Sequence, residues 1–299
     1  MVFINVKTGS MISKEIQKKV RQLQLHTKRV MNSFFVGDYR SRQKGYGMDF
    51  DQIRDYYVGD DIRFIDWKSS ARMNTLLVKQ YIHEHTKTIM LMVDVSGSSF
   101  FGSTEQIKRE MSAQIATIIS LAAQHVKARI GLILFSEDIE YYLQPKTGAQ
   151  HIHLIIDALW HFKPQKKGTD INKACAFVSK VMRSDVLLCI VSDFIGTYNQ
   201  ASLACVAKKF DTVIIRCFDR YEKKLPSIGF LNLEDSETGQ KIVIDTCLKN
   251  NNGYVNLFQE RLVKQNNDFK KNGIDYLDIG DTDRSLDSLI LFFARRIQS

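Results

Sequence analysis

The sequence has no apolar run that is long enough to cross a membrane. Its longest runs, residues 89–93 and 289–294, are far shorter than the roughly 20 residues that span a bilayer. The first ten residues also lack the apolar stretch and the cleavage site of a secretory signal peptide. These absences lead us to expect a cytoplasmic protein without a membrane span.

Cysteine pairs are also missing. The five cysteines are widely spaced and never form a C-x-x-C pair, which argues against a disulfide framework or a cysteine-based zinc site. We expect buried free thiols at these positions, which are Cys175, Cys189, Cys205, Cys217 and Cys247.

The signatures of several catalytic classes are absent as well. The chain has no P-loop and no dinucleotide-binding fingerprint. Ser96 does not lie in the G-x-S-x-G turn of serine hydrolases, because Asp94 occupies the first glycine position. The sequence therefore disfavours a serine hydrolase.

Positive charge is concentrated at the amino-terminal end. Residues 1–44 contain ten lysines and arginines but only two acidic residues, so this arm carries +8 of the formal net charge of +9. A basic arm can bind nucleic acid or an acidic partner, although a solvated helix face is the more common explanation. Because no nucleic-acid-reading motif accompanies the arm, we regard nucleic-acid binding as the less favoured interpretation.

The most informative stretch that is present covers residues 88–99. A continuous apolar run leads into Asp94, Ser96 and Ser98, and an amphipathic helical pattern follows. Such a run is typical of a parallel strand that is buried on both faces. In open parallel sheets, ligands bind beyond the carboxyl ends of the strands, where these three polar residues are expected. Alternatively, the aspartate begins a turn and the serines cap a helix.

Apolar strands alternate with amphipathic helices from this point onward, which predicts an α/β fold with a doubly wound, mainly parallel sheet. A hairpin is predicted within residues 228–246. The predicted helices cover residues 104–127, 148–162, 171–182, 198–209, 251–272 and 283–298, and the further strands cover residues 128–135, 139–143, 186–191, 212–218 and 274–279.

The residues that precede the predicted α/β sheet differ from it in composition and in pattern. A basic helix is predicted over residues 10–35 and a glycine-rich basic loop over residues 40–47. In residues 48–85, carboxylates and arginines alternate with aromatic residues, which predicts a compact segment held by Arg–carboxylate pairs and packed through its aromatic rings. We therefore divide the chain into an amino-terminal segment, residues 1–85, and an α/β domain, residues 86–299.

The segment resembles the bacterial DUF58 family. The motifs that carry the resemblance are Gly47-Met48-Asp49-Phe50, Arg54-Asp55-Tyr56, Gly59-Asp60-Asp61-Ile62-Arg63 and Ile65-Asp66-Trp67, followed by Ser70-Ala71-Arg72. The resemblance implies a von Willebrand factor A (vWA)-like domain after the segment. It also implies that the protein is an accessory factor to a MoxR-type AAA+ ATPase, acting in chaperone-like assembly or maturation of other proteins.

In the vWA fold, a metal-ion-dependent adhesion site (MIDAS) is built from a D-x-S-x-S turn, a threonine of a second loop and an aspartate after a third strand. By resemblance, these ligands correspond to Asp94, Ser96, Ser98, Thr169 and Asp193. Hydroxyl and carboxylate oxygens suit Mg²⁺ or Mn²⁺. The resemblance thus implies a non-catalytic module that binds an acidic group of a partner through a metal ion. Thr169-Asp170 could instead simply cap the next helix.

The rival interpretation is an enzyme, a Mg²⁺-dependent phosphohydrolase with Asp94 as nucleophile. Phosphatases of the haloacid dehalogenase type place a second aspartate two residues later as general acid, whereas this chain has Ser96. The loss of a general acid costs a factor of ~10² to 10⁴ in rate. We therefore expect the protein not to be an enzyme.

Overall fold

The computed structural model describes residues 49–82, 88–100, 108–196, 198–223, 226–234, 241–246, 251–280 and 285–298. These residues form two compact units, residues 49–82 and residues 88–298. The predicted basic helix and the glycine-rich loop of the amino-terminal arm lie outside the described residues. The predicted boundary at residue 85 also lies outside them, so the division of the chain there stays a prediction.

The smaller unit consists of β1 (Asp49–Asp55), α1 (Trp67–Met73) and β2 (Leu77–Ile82), with β1 antiparallel to β2. The strand β1 was not predicted from the sequence, because a shift of register after Phe50 breaks the alternation by which strands are recognised. The predicted Arg–carboxylate pairs are present: Arg54 donates to both carboxylate oxygens of Asp60 at 2.7 Å. The predicted packing through aromatic rings does not extend to Trp67, which is 66% exposed.

Eight strands and seven helices make up the described part of the larger unit. The strands are β3 (Thr88–Asp94), β4 (Arg129–Phe135), β5 (Ile139–Lys146), β6 (Val186–Ser192), β7 (Asp211–Phe218), β8 (Phe230–Glu234), β9 (Lys241–Asp245) and β10 (Asp275–Gly280). The helices are α2 (Lys108–His125), α3 (Ala149–His161), α4 (Ile171–Val181), α5 (Gln200–Lys209), α6 (Arg220–Lys223), α7 (Asn251–Lys271) and α8 (Ser285–Gln298).

Six of these strands form one sheet in the order β10-β7-β6-β3-β4-β5. All neighbours are parallel except β4 and β5, so the predicted mainly parallel α/β fold is confirmed. Every residue of β3 is buried, as its continuous apolar run predicts. None of the helices within the described ranges is long and apolar enough to cross a bilayer.

The strand order reverses between β3 and β6. From β3 the chain proceeds to β4 on one side, whereas β6 lies on the other side of β3 and leads outward to β7 and β10. At such a reversal, the connections leave in opposite directions and open a crevice beyond the carboxyl ends of the two strands. Asp94 ends β3 and Asp193 directly follows β6, so both carboxylates lie at this crevice.

Arg216 locks β7 to the neighbouring elements. Its side chain is fully buried, and its guanidinium donates to both carboxylate oxygens of Asp278 on β10, at 2.7 and 3.0 Å. It also donates to Gln265 Oε1 of α7 at 2.8 Å and lies over the ring of Phe269. A bidentate ion pair therefore replaces apolar packing at this place in the core.

Candidate functional site

Asp94 is a buried carboxylate of the crevice, only 4% exposed. Its Oδ1 accepts a hydrogen bond from the backbone N–H of Ser96 at 2.9 Å, and its Oδ2 accepts one from the hydroxyl of Ser192 at 2.7 Å. The first bond ties the carboxylate to its own turn, whereas the second connects β3 to β6. The orientation of Asp94 is therefore held from both strands.

The two serine hydroxyls of the turn face each other. Ser96 Oγ lies 3.1 Å from Ser98 Oγ, and both side chains are buried. The backbone N–H of Gly97, between them, donates to the carbonyl of Lys167 at 2.7 Å. The turn after β3 is thus attached directly to the loop that carries Thr169.

Thr169 lies against the loop that follows β6. The position that a Cβ would take on Gly196 is 3.9 Å from the Thr169 Cβ, so the two loops are in contact. The neighbouring Asp170 caps α4 by accepting a hydrogen bond from the backbone N–H of Lys173 at 3.1 Å. Asp170 therefore accounts for the helix cap, and Thr169 is not needed for it.

A strained backbone position follows Asp193. Phe194 has φ of +52°, in the left-handed region that bulky residues rarely adopt. The conformation is held by hydrogen bonds from the Phe194 N–H to Ser192 Oγ at 3.1 Å and from the Ile195 N–H to Asp193 Oδ1 at 3.1 Å, and the buried Phe194 ring packs on Phe269. Such strain is commonly found where a loop positions a functional group, and here it positions Asp193.

Lys108, at the start of the described part of α2, reaches the same place. Its side chain is only 3% exposed, and its ammonium donates to Asp193 Oδ2 at 2.7 Å and to Glu222 Oε1 at 2.6 Å. Neither Lys108, the partner of Asp193, nor Glu222, the second partner of Lys108, was predicted from the sequence. The available signal for Lys108 was its position on the inner face of α2, at helical spacing from Met111 and Ile115. Glu222 carries no comparable signal.

The electrostatic environments of the carboxylates differ. Burial, reinforced by the nearby charge of Asp193, raises the pKa of Asp94 to about 6, although hydrogen bonds from Ser96 and Ser192 act in the opposite direction. Burial also raises the pKa of Glu222. For Lys108, burial favours a lower pKa, but the two carboxylates outweigh it and raise the pKa. The lysine is therefore charged at neutral pH, whereas Asp94 has no ion-pair partner among the described residues.

The five predicted ligands are thus located in three loops that touch one another. A cavity of about 10 Å³ beside Asp94 has room for one water-sized body. Three of the predicted ligands, Asp94, Ser98 and Asp193, line it together with Lys108, Ser112, Ser192 and Cys217, whereas Ser96 and Thr169 are not part of its lining. Among the described residues, no group of three or more His, Cys, Asp or Glu side chains is placed to hold a metal ion, at this crevice or elsewhere, so a cation here would depend on hydroxyl ligands as well as carboxylates. The hydroxyl and carboxylate oxygens of this lining suit a small hard cation such as Mg²⁺, whereas the Lys108 ammonium repels one.

The chain is similar to proteins from several bacteria. It is 26% identical over 246 residues to the uncharacterized proteins Mb1516 of Mycobacterium bovis and Rv1480 of Mycobacterium tuberculosis, covering 81% of this chain and 78% of each relative.

Similar solved structures include the conserved hypothetical protein BatB from Bacteroides thetaiotaomicron, with 14% identity and a TM-score of 0.48, over 71% of this chain and all of that one. The VWA domain of SpRpn10 has 9% identity and a TM-score of 0.40, over 69% of this chain and 94% of that one. At family level, the profile described as "Protein of unknown function DUF58" matches residues 52–264, which is more than half of the sequence. The chain belongs to the DUF58 family.

Proposed function

We propose that this protein is a non-catalytic interaction module that binds an acidic side chain of a partner protein through a divalent cation, Mg²⁺ or Mn²⁺. We further propose that the partner is a MoxR-type AAA+ ATPase, which the protein serves as an accessory factor in chaperone-like assembly or maturation of client proteins. The metal ligands are Asp94, Ser96, Ser98, Thr169 and Asp193.

The observation that carries the proposal is that the carboxylate of Asp94 is buried without a positively charged partner among the described residues. A buried carboxylate is costly unless a positive charge compensates it, and no described residue supplies that charge to Asp94. A divalent cation would compensate it, and the two serine hydroxyls beside it are oxygen donors of the kind that Mg²⁺ accepts. A cation site would therefore account for the buried charge of Asp94, in addition to the hydrogen bond by which Asp94 connects β3 to β6.

A bound cation supplies a vacant coordination position that a carboxylate from another protein can fill. The protein's own residues then act as a fixed frame. Asp94 is oriented by β3 and β6, the hydroxyls are oriented by the turn, and Thr169 is brought in by its loop. Such a preorganised set binds an acidic group without reorganisation, which favours affinity.

The phosphohydrolase alternative is less favoured by the geometry. Both oxygens of Asp94 accept hydrogen bonds, the side chain is buried, and the adjoining cavity has room for one water-sized body. The position of the missing general acid is occupied by the Ser96 hydroxyl, which is paired with Ser98. Both features disfavour attack of Asp94 on a phosphate ester.

A binding assay with the purified MoxR-type ATPase of the same organism tests the proposal. Immobilised protein is expected to capture the ATPase in Mg²⁺ and to release it in EDTA, and Thr169→Ala or Asp193→Ala is expected to weaken capture at least tenfold. Thr147→Ala and Asp185→Asn are matched controls, because they remove an exposed hydroxyl and an exposed carboxylate at the amino ends of β4 and β6, away from the site.

The outcomes separate the two parts of the proposal. Capture that persists in EDTA and in both site variants would contradict the metal-dependent mechanism while leaving the partner in place. Absence of capture under all conditions would contradict the assignment of the partner. Release of phosphate from a generic ester that disappears in Asp94→Asn would instead support the enzyme.

A further inference from the structure

Lys108 forms a buried bridge between two carboxylates of the crevice. Its ammonium contacts Asp193 Oδ2 and Glu222 Oε1, and the other oxygen of Glu222 accepts a hydrogen bond from the backbone N–H of Asp219 at 3.1 Å. Glu222 is thereby fixed at the end of β7, and it holds the ammonium beside Asp193. A positive charge of the chain itself is thus placed at one of the five proposed metal ligands.

The position of this charge matters because Asp193 has two oxygens with different partners. Oδ1 accepts the Ile195 N–H and maintains the loop, whereas Oδ2 is the oxygen that the ammonium occupies. A cation that draws on Asp193 must share it with Lys108, and two positive charges that share one buried carboxylate repel each other. Burial strengthens this repulsion, since little water is present to screen it.

We propose that Lys108 is a tethered counter-ion that competes with the divalent cation for Asp193 and keeps the metal affinity of the site low. The inference rests on the proposed function, since it concerns the same cation site. Its consequence is that a carboxylate from the partner contributes substantially to retaining the metal. Occupancy by the metal is then coupled to binding of the partner.

A charge-balanced pair of substitutions tests the competition. Lys108→Met with Glu222→Gln removes one positive and one negative charge, so the net charge of the site is unchanged, while Oδ2 of Asp193 loses its ammonium. We expect this double variant to bind Mn²⁺ or Mg²⁺ at least tenfold more tightly than the wild type in calorimetric titration. Its melting temperature is expected to rise more on addition of Mg²⁺.

Two further variants control for charge and for folding. Glu222→Gln alone retains Lys108 and makes the site more positive, so its metal binding is expected to be no tighter than that of the wild type. Lys108→Gln with Glu222→Gln repeats the test with a polar replacement, in case the methionine prevents folding. Asp94→Asn is the reference without metal binding.

The results distinguish this inference from the proposed function. In one outcome, the wild type binds the cation, Asp94→Asn does not, and both double variants bind it no more tightly than the wild type. This outcome would overturn the role of Lys108 but not the proposed metal site. Tight binding by the double variants and none by the wild type would support the role of Lys108 and overturn the metal dependence of the wild type. If no form binds a divalent cation, both are overturned.

Discussion

Asp94→Asn is expected to stabilise the metal-free protein, although it removes a residue that we regard as functional. Asparagine keeps the oxygen that accepts the Ser96 N–H, whereas its amide would donate to Ser192 Oγ, so the Ser192 hydroxyl loses its present acceptor. The substitution also removes a buried negative charge that has no ion-pair partner among the described residues. The change therefore reports the cost of holding that charge, less the cost of the lost acceptor.

The magnitude follows from the pKa of Asp94, which burial raises from 3.8 to about 6. At ~1.4 kcal/mol per pKa unit, the charged form lowers the free energy of unfolding by roughly 3 kcal/mol at pH 8. The sign is that of a raised carboxyl pKa: the folded state binds the proton more readily, so stability is lost as pH rises from about 4 through 6. We expect a gain of about 1–3 kcal/mol for Asp94→Asn at pH 8, which disappears near pH 4.

Urea denaturation in EDTA at pH 8 and pH 4 measures this difference. Asp138→Asn is the matched control with the opposite sign, because Lys166 and Lys173 lower the pKa of the exposed Asp138 to about 2, and its removal gives a small loss of stability. In saturating Mg²⁺ the wild type gains ~1.4 kcal/mol for each tenfold excess over its dissociation constant, whereas Asp94→Asn gains nothing. An asparagine variant that is less stable than the wild type in EDTA at pH 8 would refute the reasoning.

Two further predictions concern the core. Arg216→Met is expected to lower the free energy of unfolding by on the order of 3 kcal/mol, because it leaves the carboxylate and amide partners of the guanidinium unpaired. Arg296→Met is the control and is expected to lower it clearly less, because the ion pairs of Arg296 are more exposed. Gly131→Ala is expected to cost roughly 1–3 kcal/mol, since a Cβ on this strand residue would lie 2.8 Å from the Leu143 carbonyl oxygen. Gly253→Ala, in an open position of α7, is the control and is expected to stabilise by up to about 1 kcal/mol. Urea denaturation checks both pairs, and equal effects within either pair would contradict the corresponding argument.

The stability cost at Asp94 has a functional interpretation. The hydrogen bond from Ser192 gives Asp94 a structural role, since it connects β3 to β6, but the raised pKa means that the charged form is held at a net cost in stability. A residue that is held at such a cost is typical of a binding or catalytic site.

The fold was largely predictable because its strands are long apolar runs separated by amphipathic helices. The helix α4 ends one residue before its predicted end at residue 182, and the strand β3 coincides with the apolar run that leads into Asp94, since a capped helix and a buried parallel strand leave strong local signals. The strand β1 was missed because its register shifts after Phe50, so that its apolar residues no longer alternate. Local periodicity therefore predicts regular elements but not irregular ones.

The residues of the candidate site likewise include some that the sequence predicts and some that it does not. The sequence by itself determined the turn that carries Asp94, Ser96 and Ser98, because those residues are neighbours in the chain and directly follow a buried strand. Only the tertiary structure brought Lys108 and Glu222 to Asp193, from positions 85 residues before it and 29 residues after it. The physical reason is that an ion pair between distant residues depends on which strand ends meet at the reversal of the sheet, and sequence periodicity carries no information about that meeting.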